Sequence, residues 1–494
     1  MPSMRYVEAF KQHLRERLCF GKTAEERGME WWEYAMVMWS KRDTPLRVGF
    51  SQIATHGHFV VASDEAIFKE KAPIIKLFSK AGRNDYALLA ALLNSSAALF
   101  WLKQVCFNKG AGEDEERDRF EYQGNKLEEL PVPTGVADAW QAKSHRIAEL
   151  LLSLCDRCLK AGQRMPALAL SRVFEKLGEA YYDWNQHLPV CGVADPGSES
   201  SFDSAEDLRR VYETARSTRD LLRTEMISLQ EEMDWLVYAA YDLLPEDHPA
   251  AQAEAEPAPL EREQRPFVLW AEAEGNYDQA VKLIPAGWPA ARKKLWEARL
   301  TAIRDNEHIR RIEQPVYKRR WDEQWKVGNQ WRCGPIAYAA EFIEAFEWWL
   351  REKAEWWLEN KKDGGPVEIE AWTEALWRDS RIQAAWPVAA EQYAFLEAEK
   401  AREKAEENGE PLPAPTKPAT DAAGFRREFK RIIEDETVPA GFPFAVPSLV
   451  GRMLGYGTVI VRGTGGTFET FDKIAHPNEL RRQVQQQTGS SASA

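Results

Sequence analysis

Residues 86–106 read YALLAALLNSSAALFWLKQVC, and this long apolar stretch decides how its neighbours fold. Its apolar side chains cover more than one face of a helix, a pattern that predicts a largely buried helix. Residues 45–68, PLRVGFSQIATHGHFVVASDEAIF, alternate in polarity and are rich in β-branched and aromatic residues, with turn glycines at Gly49 and Gly57. Together the two stretches predict short strands that are anchored on one buried helix.

A charged loop and two prolines close this unit on its C-terminal side. Residues 108–126, NKGAGEDEERDRFEYQGNK, are Gly-rich and charged, and Pro131 and Pro133 follow in LEELPVP. On the N-terminal side, apolar residues at helical spacing within 4–20 predict an entry helix. We therefore expect an entry connector over 1–30 and a mixed α/β domain over 31–135.

The remaining sequence has mainly helical periodicity, so the predicted fold class is α+β and predominantly α-helical, with a small mixed α/β domain followed by helical domains. The later parts are predicted as a helical domain at 138–245, an acidic Pro- and Ala-rich linker at 246–264 that we expect to be mobile, a Trp-rich helical domain at 265–408, a small C-terminal domain at 420–480 and a disordered tail at 481–494.

The charge balance restricts how this chain can meet an acidic partner. Its 494 residues include 65 Lys and Arg against 78 Asp and Glu, a net charge of −13. Residues 1–135 are balanced in charge, so the acidic excess lies in the rest of the chain. A uniformly basic nucleic-acid-binding surface is therefore excluded, and any DNA contact must be local.

Composition also bears on the expected compartment. No stretch approaches the roughly 18 apolar residues of a membrane span, and the N-terminus, MPSMRYVEAFKQHLRERL, has the charge pattern of an amphipathic helix rather than a signal peptide. Six cysteines in a chain of this length do not form a recognisable disulfide framework. We expect a cytoplasmic protein in a reducing compartment, with no membrane partner.

Several stretches in a fixed order resemble one known family. The chain is similar to the C-terminal, target-recognition and helical part of the PglX-type and Eco57I-like adenine-specific DNA methyltransferases of BREX-like phage-defence and restriction-modification systems. The resemblance rests on AEERGMEWWEYAMVMWSKRDTPLRVGFSQIATHGHFVV at 24–61, APIIKLF at 72–78, LLAALLNSSAALFWLKQVCFNKGAG at 88–112, RFEYQGNKLEELPVP at 119–133, EEMDWLVYAAYDLL at 231–244 and WPAARKKLWEARLTAIRDNEHIRRIEQPVYKRRW at 288–321.

The resemblance implies a target-recognition domain at 31–135, which would read DNA mainly through residues 45–130. The family methylates adenine N6 with S-adenosylmethionine, using a Gly-rich cofactor motif and an Asn-Pro-Pro-Tyr-type motif for the flipped base. Neither motif occurs in this sequence. We therefore expect no catalysis by this chain alone, with S-adenosylmethionine bound by another chain or by a missing N-terminal domain. The expected partners are duplex DNA and a methyltransferase catalytic chain or other defence-complex subunits.

Two sets of residues are candidates for DNA contact, because base edges need donors and acceptors and phosphates need cations. The basic cluster YKRRW at 317–321 sets cations between aromatics, which suits a nucleic-acid backbone; a solvated helix terminus has the same pattern. Histidines at a strand end are also common structural hydrogen-bonding residues. The candidates are Thr55, His56, His58, Asn108, Lys109, Arg119, Asn125 and Lys126 in the recognition-like domain, and Lys318, Arg319 and Arg320 in the basic cluster.

Three other interpretations were open. Cys155 and Cys158, with His187 and Cys191, have zinc-ligand residue types, although IAELLLSLCDRCLKAG is typical of an amphipathic core helix. Asp322, Glu323 and Lys326 could form a nuclease centre but look like a solvated charged face. The acidic C-terminal half favours an alternative function, a helical scaffold or adaptor of a defence complex without DNA binding. The tandem tryptophans are interpreted as packing anchors: Trp31 and Trp32, Trp348 and Trp349, Trp356 and Trp357.

Overall fold

A computed structural model gives the fold, and it confirms a predominantly helical α+β chain with small antiparallel sheets. The residues that the structure describes are 11–33, 45–62, 71–78, 80–110, 118–133, 145–164, 202, 204–254, 256–321, 325–327, 330–332, 334–359, 367–412, 414, 417–434, 444–445, 457–462 and 468–474. The first part of the predicted entry helix and the predicted tail lie outside these residues; helix α1 is described over Lys11–Glu16.

Two three-stranded antiparallel sheets lie in this part of the chain, and three of their six strands fall within the stretch 45–68 that was predicted to form strands. In the first, β1 (Arg47–Phe50) lies between β3 (Phe59–Ala62) and β4 (Ile74–Ile75). In the second, β6 (Arg119–Glu121) lies between β2 (Ile53–Ala54) and β5 (Phe107–Gly110). The strands at 107–110 and 119–121 correct the prediction of a loop over 108–126. Alternate side chains of the first sheet point into the core, including Val48, Phe50, Phe59 and Val61. The apolar residues of the alternating pattern in 45–61 therefore form the buried face of this sheet.

The apolar stretch 86–106 is broken into two helices, so the prediction of one continuous helix was wrong. Helices α2 (Arg83–Leu93) and α3 (Ser96–Val105) meet at 66°. The Asn94 amide accepts from the Phe59 N–H at 3.0 Å and donates to the Phe59 carbonyl at 2.8 Å. The Ser95 hydroxyl accepts from the Ala98 N–H at 3.1 Å and caps α3. These polar contacts with β3 and with the next helix favour the break.

Helix α6 (Ala205–Ala240) runs through the molecule and contributes to several cores. Its 36 residues span about 54 Å at the α-helical rise. Its first half packs with the later helices, and its second half is buried on every side from Ile227 to Ala239. Helix α5 (His145–Arg164) packs against α2 and α6. One apolar core includes Leu92 of α2, Leu151 and Leu154 of α5, and Leu236 and Val237 of α6, and so crosses the boundary predicted near residue 135.

The segment predicted as a mobile linker, 246–264, instead packs along α6. Ala250, Ala251 and Leu260 are buried. The Leu260 N–H donates to the Thr224 carbonyl at 3.1 Å, and the Glu254 N–H donates to the Glu232 carboxylate at 3.1 Å. The acidic, Pro-rich composition suggested a solvated chain, but small apolar residues within it find partners on the helix.

The remaining elements are mostly helices, and the helices after residue 330 share a core with the first half of α6. Trp31 and Trp349 are buried while their neighbours Trp32 and Trp348 are 46% exposed, so one member of each described pair is a packing anchor. The elements are α4 (Gly124–Glu128), α7 (Pro266–Glu272), α8 (Tyr277–Lys282), α9 (Ala290–Asp305), α10 (Glu307–Ile312), β7 (Trp325–Val327), β8 (Gln330–Arg332), α11 (Gly334–Glu359), β9 (Val367–Glu368), α12 (Ile369–Trp377), α13 (Ser380–Asn408), α14 (Ala422–Glu434), β10 (Phe444–Ala445), β11 (Gly457–Arg462) and β12 (Phe468–Ile474).

Among the described helices, none is by itself long and apolar enough to cross a membrane; α2 and α3 meet that criterion only as a bent pair.

Candidate nucleic-acid interface

The loop Thr55–His58 joins the two sheets, since it leaves β2 and enters β3. Thr55 Oγ1 and His56 Nδ1 are 2.9 Å apart, which orients the half-buried imidazole. Gly57 permits the tight turn, because a Cβ at this position would lie 3.0 Å from the Phe59 ring and 3.1 Å from the Leu93 carbonyl. Gly57 is buried, whereas the His58 side chain next to it is exposed.

The basic cluster at 317–321 reaches the same region by docking on α3. A 3-10 turn at Pro315–Tyr317 precedes it. Lys103 of α3 donates to the Val316 carbonyl at 2.7 Å, and the rings of Phe100 and Tyr317 are 4.8 Å apart. The buried Lys103 is thus a cation within an apolar helix, and it fixes the turn that leads into the basic cluster.

The fold brings together two candidate sites that are more than 250 residues apart in sequence. Arg319 Nη2 lies 3.4 Å from His58 Nδ1, and the Arg319 guanidinium stacks 4.0 Å from the centre of the Trp321 ring. Burial, and after it the positive charges of Arg319, Lys103 and Arg320 together with His58, lower the pKa of His56 to about 3. His56 is therefore neutral at pH 7, and the charged side chains that act on it are cations.

Lys318, although adjacent to Arg319, is buried and does not belong to this surface. Its ammonium donates to Asp234 Oδ2 at 2.9 Å and to Glu313 Oε1 at 2.7 Å, and its side chain is 0% exposed. Burial opposes the charge on Lys318, but Asp234 and the neighbouring glutamates raise its pKa. We therefore leave Lys318 out of the candidate DNA contacts and assign it a structural position.

A buried polar network, centred on residues of α6, surrounds the Lys318 side chain. The Asp234 carboxylate accepts from the Ser96 N–H at 2.8 Å and from the Ser96 hydroxyl at 2.6 Å. Tyr238 donates to Glu313 at 2.5 Å, and Arg265 donates to Glu231 at 2.9 Å. These residues come from α3, α6 and the 265–318 region, so the network joins three parts of the chain.

The pKa values of two glutamates in this network, Glu231 and Glu313, are shifted in opposite directions. Burial alone would raise the pKa of Glu231, but the positive charges of Lys318, Arg265 and Arg299 lower it to about 2. Burial raises the pKa of Glu313, and the attraction of Lys318 does not cancel this. Glu231 is thus the firmly ionised partner, and Glu313 is the carboxyl of the pair that accepts a proton more readily.

The other candidates lie on the second sheet and on α4, and two of their cations are paired. Lys109 lies 2.7 Å from Glu121, and Lys126 lies 2.9 Å from Glu129. Asn108 donates to Asp118 at 2.7 Å. Arg119 and Asn125 are exposed, and the Arg119 Nε is 3.4 Å from the Gly110 carbonyl. Strand β2 of this second sheet leads into loop Thr55–His58. The lysines of this group, however, pair with glutamates of their own region and not with that loop.

Sequence reasoning missed Lys103 and the acceptors of Lys318. The signal for Lys103 was present, since a lone cation in a buried apolar helix needs a specific acceptor. The signal for Asp234 was weaker, because acidic residues in EEMDWLVYAAYDLL resemble an ordinary helix face, and Glu313 follows a short charged helix in which an acidic residue is equally inconspicuous. The buried position of both carboxylates depends on contacts across the fold.

The alternative sites contain few described residues. The Cys155 thiol donates to the Ala87 carbonyl at 3.2 Å within the core, and burial raises its pKa to about 12. Cys158 is half-buried on the same helix. His187 and Cys191 lie outside the described residues, as do Asp322 and Glu323. Among the residues that are described, no group of three or more His, Cys, Asp or Glu side chains is arranged to hold a metal ion.

Comparison with known proteins bears on the family. The chain is 30% identical over 346 residues to an adenine-specific methyltransferase PglX of Streptomyces coelicolor, an alignment that covers 64% of this chain and 25% of that protein. This chain is therefore similar to part of a PglX-type methyltransferase. It spans about a quarter of the length of that PglX. Residues 226–399 match a family model described as a domain of unknown function, DUF7008. No solved structure matches the chain.

The match to the domain of unknown function includes the carboxylates and cations of the buried network. Glu231, Asp234, Arg265, Glu313 and Lys318 all fall within residues 226–399. Ser96 of α3, which bonds Asp234, lies before the matched region. The network therefore connects the matched region to the part of the chain that carries the strands.

Proposed function

We propose that this chain is the DNA-recognition and helical portion of a site-specific, adenine-specific DNA methyltransferase that acts in phage defence or restriction-modification. Catalysis and S-adenosylmethionine binding belong, in this proposal, to another chain or to a further domain. Duplex DNA and the methyltransferase catalytic chain, or other defence-complex subunits, are the partners. The cytoplasm is the compartment in which it meets them.

One observation carries the proposal. Loop Thr55–His58 and the Arg319–Arg320 pair, two separately predicted DNA contacts, lie side by side, with Lys103 among the charges that act on His56. The chain has a net charge of −13, so a cationic site on it is a local feature. Such a site suits a phosphate backbone better than it suits a partner with a generally acidic surface. Histidine and threonine beside it supply donors and acceptors of the kind that read base edges.

The scaffold interpretation is supported by a different observation. Three of the predicted DNA-contacting lysines are engaged with carboxylates: Lys109 with Glu121, Lys126 with Glu129, and Lys318 with Asp234 and Glu313. A chain that had kept the recognition fold for protein contacts alone would carry such pairing. In that case the Thr55–His58 site would bind no DNA at any salt concentration.

The test is duplex DNA binding by the full chain at low and moderate salt, measured by fluorescence anisotropy with and without the methyltransferase chain. The proposal predicts binding that weakens with salt and that sharpens when the catalytic chain is added. Absence of binding in both conditions would favour the scaffold.

A further inference from the structure

Five ionisable side chains lie completely buried where α6 meets residues 313–318. Glu231, Asp234, Glu313, Arg265 and Lys318 are each 0% exposed at the side chain. Taking charges out of water is costly, and a well-packed apolar cluster of similar volume is often as stable. Stability alone therefore does not account for this arrangement. The segments that the network holds in place indicate its role.

The network fixes Lys318 to two helices at once. Its ammonium contacts Asp234 of α6 at 2.9 Å and Glu313 at 2.7 Å. The same Asp234 carboxylate accepts two hydrogen bonds from Ser96, the first residue of α3. Lys318 is thus tied to the helix that carries Lys103 as well as to α6.

The backbone that follows is held at a second point. Arg265 donates to the Arg319 carbonyl at 2.7 Å, and Glu231 in turn holds Arg265. Lys318 itself has extended backbone angles, φ −102° and ψ 139°. Successive side chains of an extended segment point to opposite sides. Burial of Lys318 on one side therefore turns Arg319 toward the other, where it meets His58 and Trp321.

We infer that Lys318 is a positioning residue, which sets the direction of the Arg319 side chain toward a DNA phosphate beside loop 55–58. The inference rests on the proposed DNA-binding function and adds to it a cause for the geometry. Lys318 does not touch the DNA. It acts through the backbone that it shares with Arg319.

The experiment compares Lys318→Met with a matched buried cation, Arg299→Met. Arg299 pairs with Glu232 at 2.7 Å and is 0% exposed, but it does not contact residues 318–320 in the network described above. The full chain is titrated with duplex DNA at several salt concentrations, and thermal unfolding is recorded for each variant. Each phosphate contact contributes about 0.9 to the slope of log K against log salt. Lys318→Met is expected to lower that slope by up to about 1, while Arg299→Met keeps the wild-type slope.

Two further variants make the outcome decisive. If the double variant Arg319→Ala and Arg320→Ala keeps the wild-type slope, the proposed DNA contact itself is wrong. If the double variant lowers the slope but folded Lys318→Met does not, DNA binding stands and the positioning role is overturned. Asp234→Asn preserves shape while removing one of the charges that hold Lys318 and the one that links it to α3 through Ser96. Should Lys318→Met fail to fold, a lowered slope for Asp234→Asn supports the inference and a wild-type slope overturns it.

Discussion

At the scale of single residues, Lys318 and Arg319 are neighbours in sequence with different environments. Lys318 is sealed in a carboxylate network, whereas Arg319 stacks on Trp321 and meets His58. The sequence YKRRW predicted one cationic cluster, and its charge pattern cannot distinguish the two. The distinction depends on Asp234 and Glu313, which are distant or inconspicuous in the sequence. The sequence thus showed the positive charge of both side chains, but it did not predict that Lys318 is buried.

The half-buried Arg319 and Arg320 are expected to carry the salt dependence of DNA binding. Replacing Arg319 and Arg320 together by alanine removes up to two phosphate contacts, so the salt slope should fall by up to about 2. Fluorescence anisotropy at four or more salt concentrations measures the slope. The matched control is Arg426→Ala with Arg427→Ala, exposed arginines on α14 that remove the same charge. An equal loss in the control would mean that net charge alone is responsible.

His56 should make the protein less stable toward acid. Its pKa is about 3 in the folded chain and about 6.5 when it is free of these contacts, chiefly because burial disfavours the charged ring. The unfolded chain therefore binds the proton first as the pH falls. The contribution of neutral His56 is complete above pH 6.5 and is lost progressively toward pH 3. Urea midpoints at pH 7 and pH 5 should differ more for wild type than for His56→Gln; an identical pH dependence would remove His56 from this account.

At the scale of elements, the strands and the helical texture followed from local pattern, but the break after Leu93 did not. The apolar run 86–106 has no proline and no strong helix breaker, so periodicity favoured one helix. The break is instead favoured by Asn94, which bonds both backbone groups of Phe59 across the fold. A tertiary hydrogen bond of this kind leaves little trace in a local pattern.

Asn94→Ala is therefore expected to destabilise the chain by about 1–3 kcal/mol, because backbone groups of Phe59 lose their partners in a buried strand. Chemical denaturation in urea gives the free energy of unfolding. Asn125→Ala serves as the control, since this exposed asparagine should change stability by no more than about 0.5 kcal/mol. Equal effects would indicate that the Asn94 contacts do not hold the break.

The 246–254 segment depends on the pair Glu232–Arg299. Arg299 donates two hydrogen bonds to Glu232, and Glu232 also accepts from the Glu254 N–H. Glu232→Ala leaves a buried cation unpaired and should cost about 3–5 kcal/mol. The double change Glu232→Ala with Arg299→Met should recover part of that loss in the same denaturation assay. Additive losses would contradict a direct coupling between the two side chains.

At the scale of the whole molecule, the class of fold and the family relationship were predictable from the sequence, and both are confirmed. The assembly of the site was not. Helix α6 carries Glu231, Asp234 and Tyr238 of the buried network. The packing of residues 313–321 on α3 brings Arg319 to loop 55–58. Such a juxtaposition depends on contacts between residues more than 200 positions apart, which neither composition nor periodicity encodes.

The net charge of −13 makes the whole molecule a poor general DNA binder, so the proposal requires one local site and a partner that contributes the rest. The most direct measurement is anisotropy of a labelled duplex titrated with the full chain, with and without the methyltransferase catalytic chain, at low and moderate salt. We predict salt-sensitive binding that tightens when the catalytic chain is present. Binding that is absent under all four conditions would contradict a DNA-recognition role for this chain.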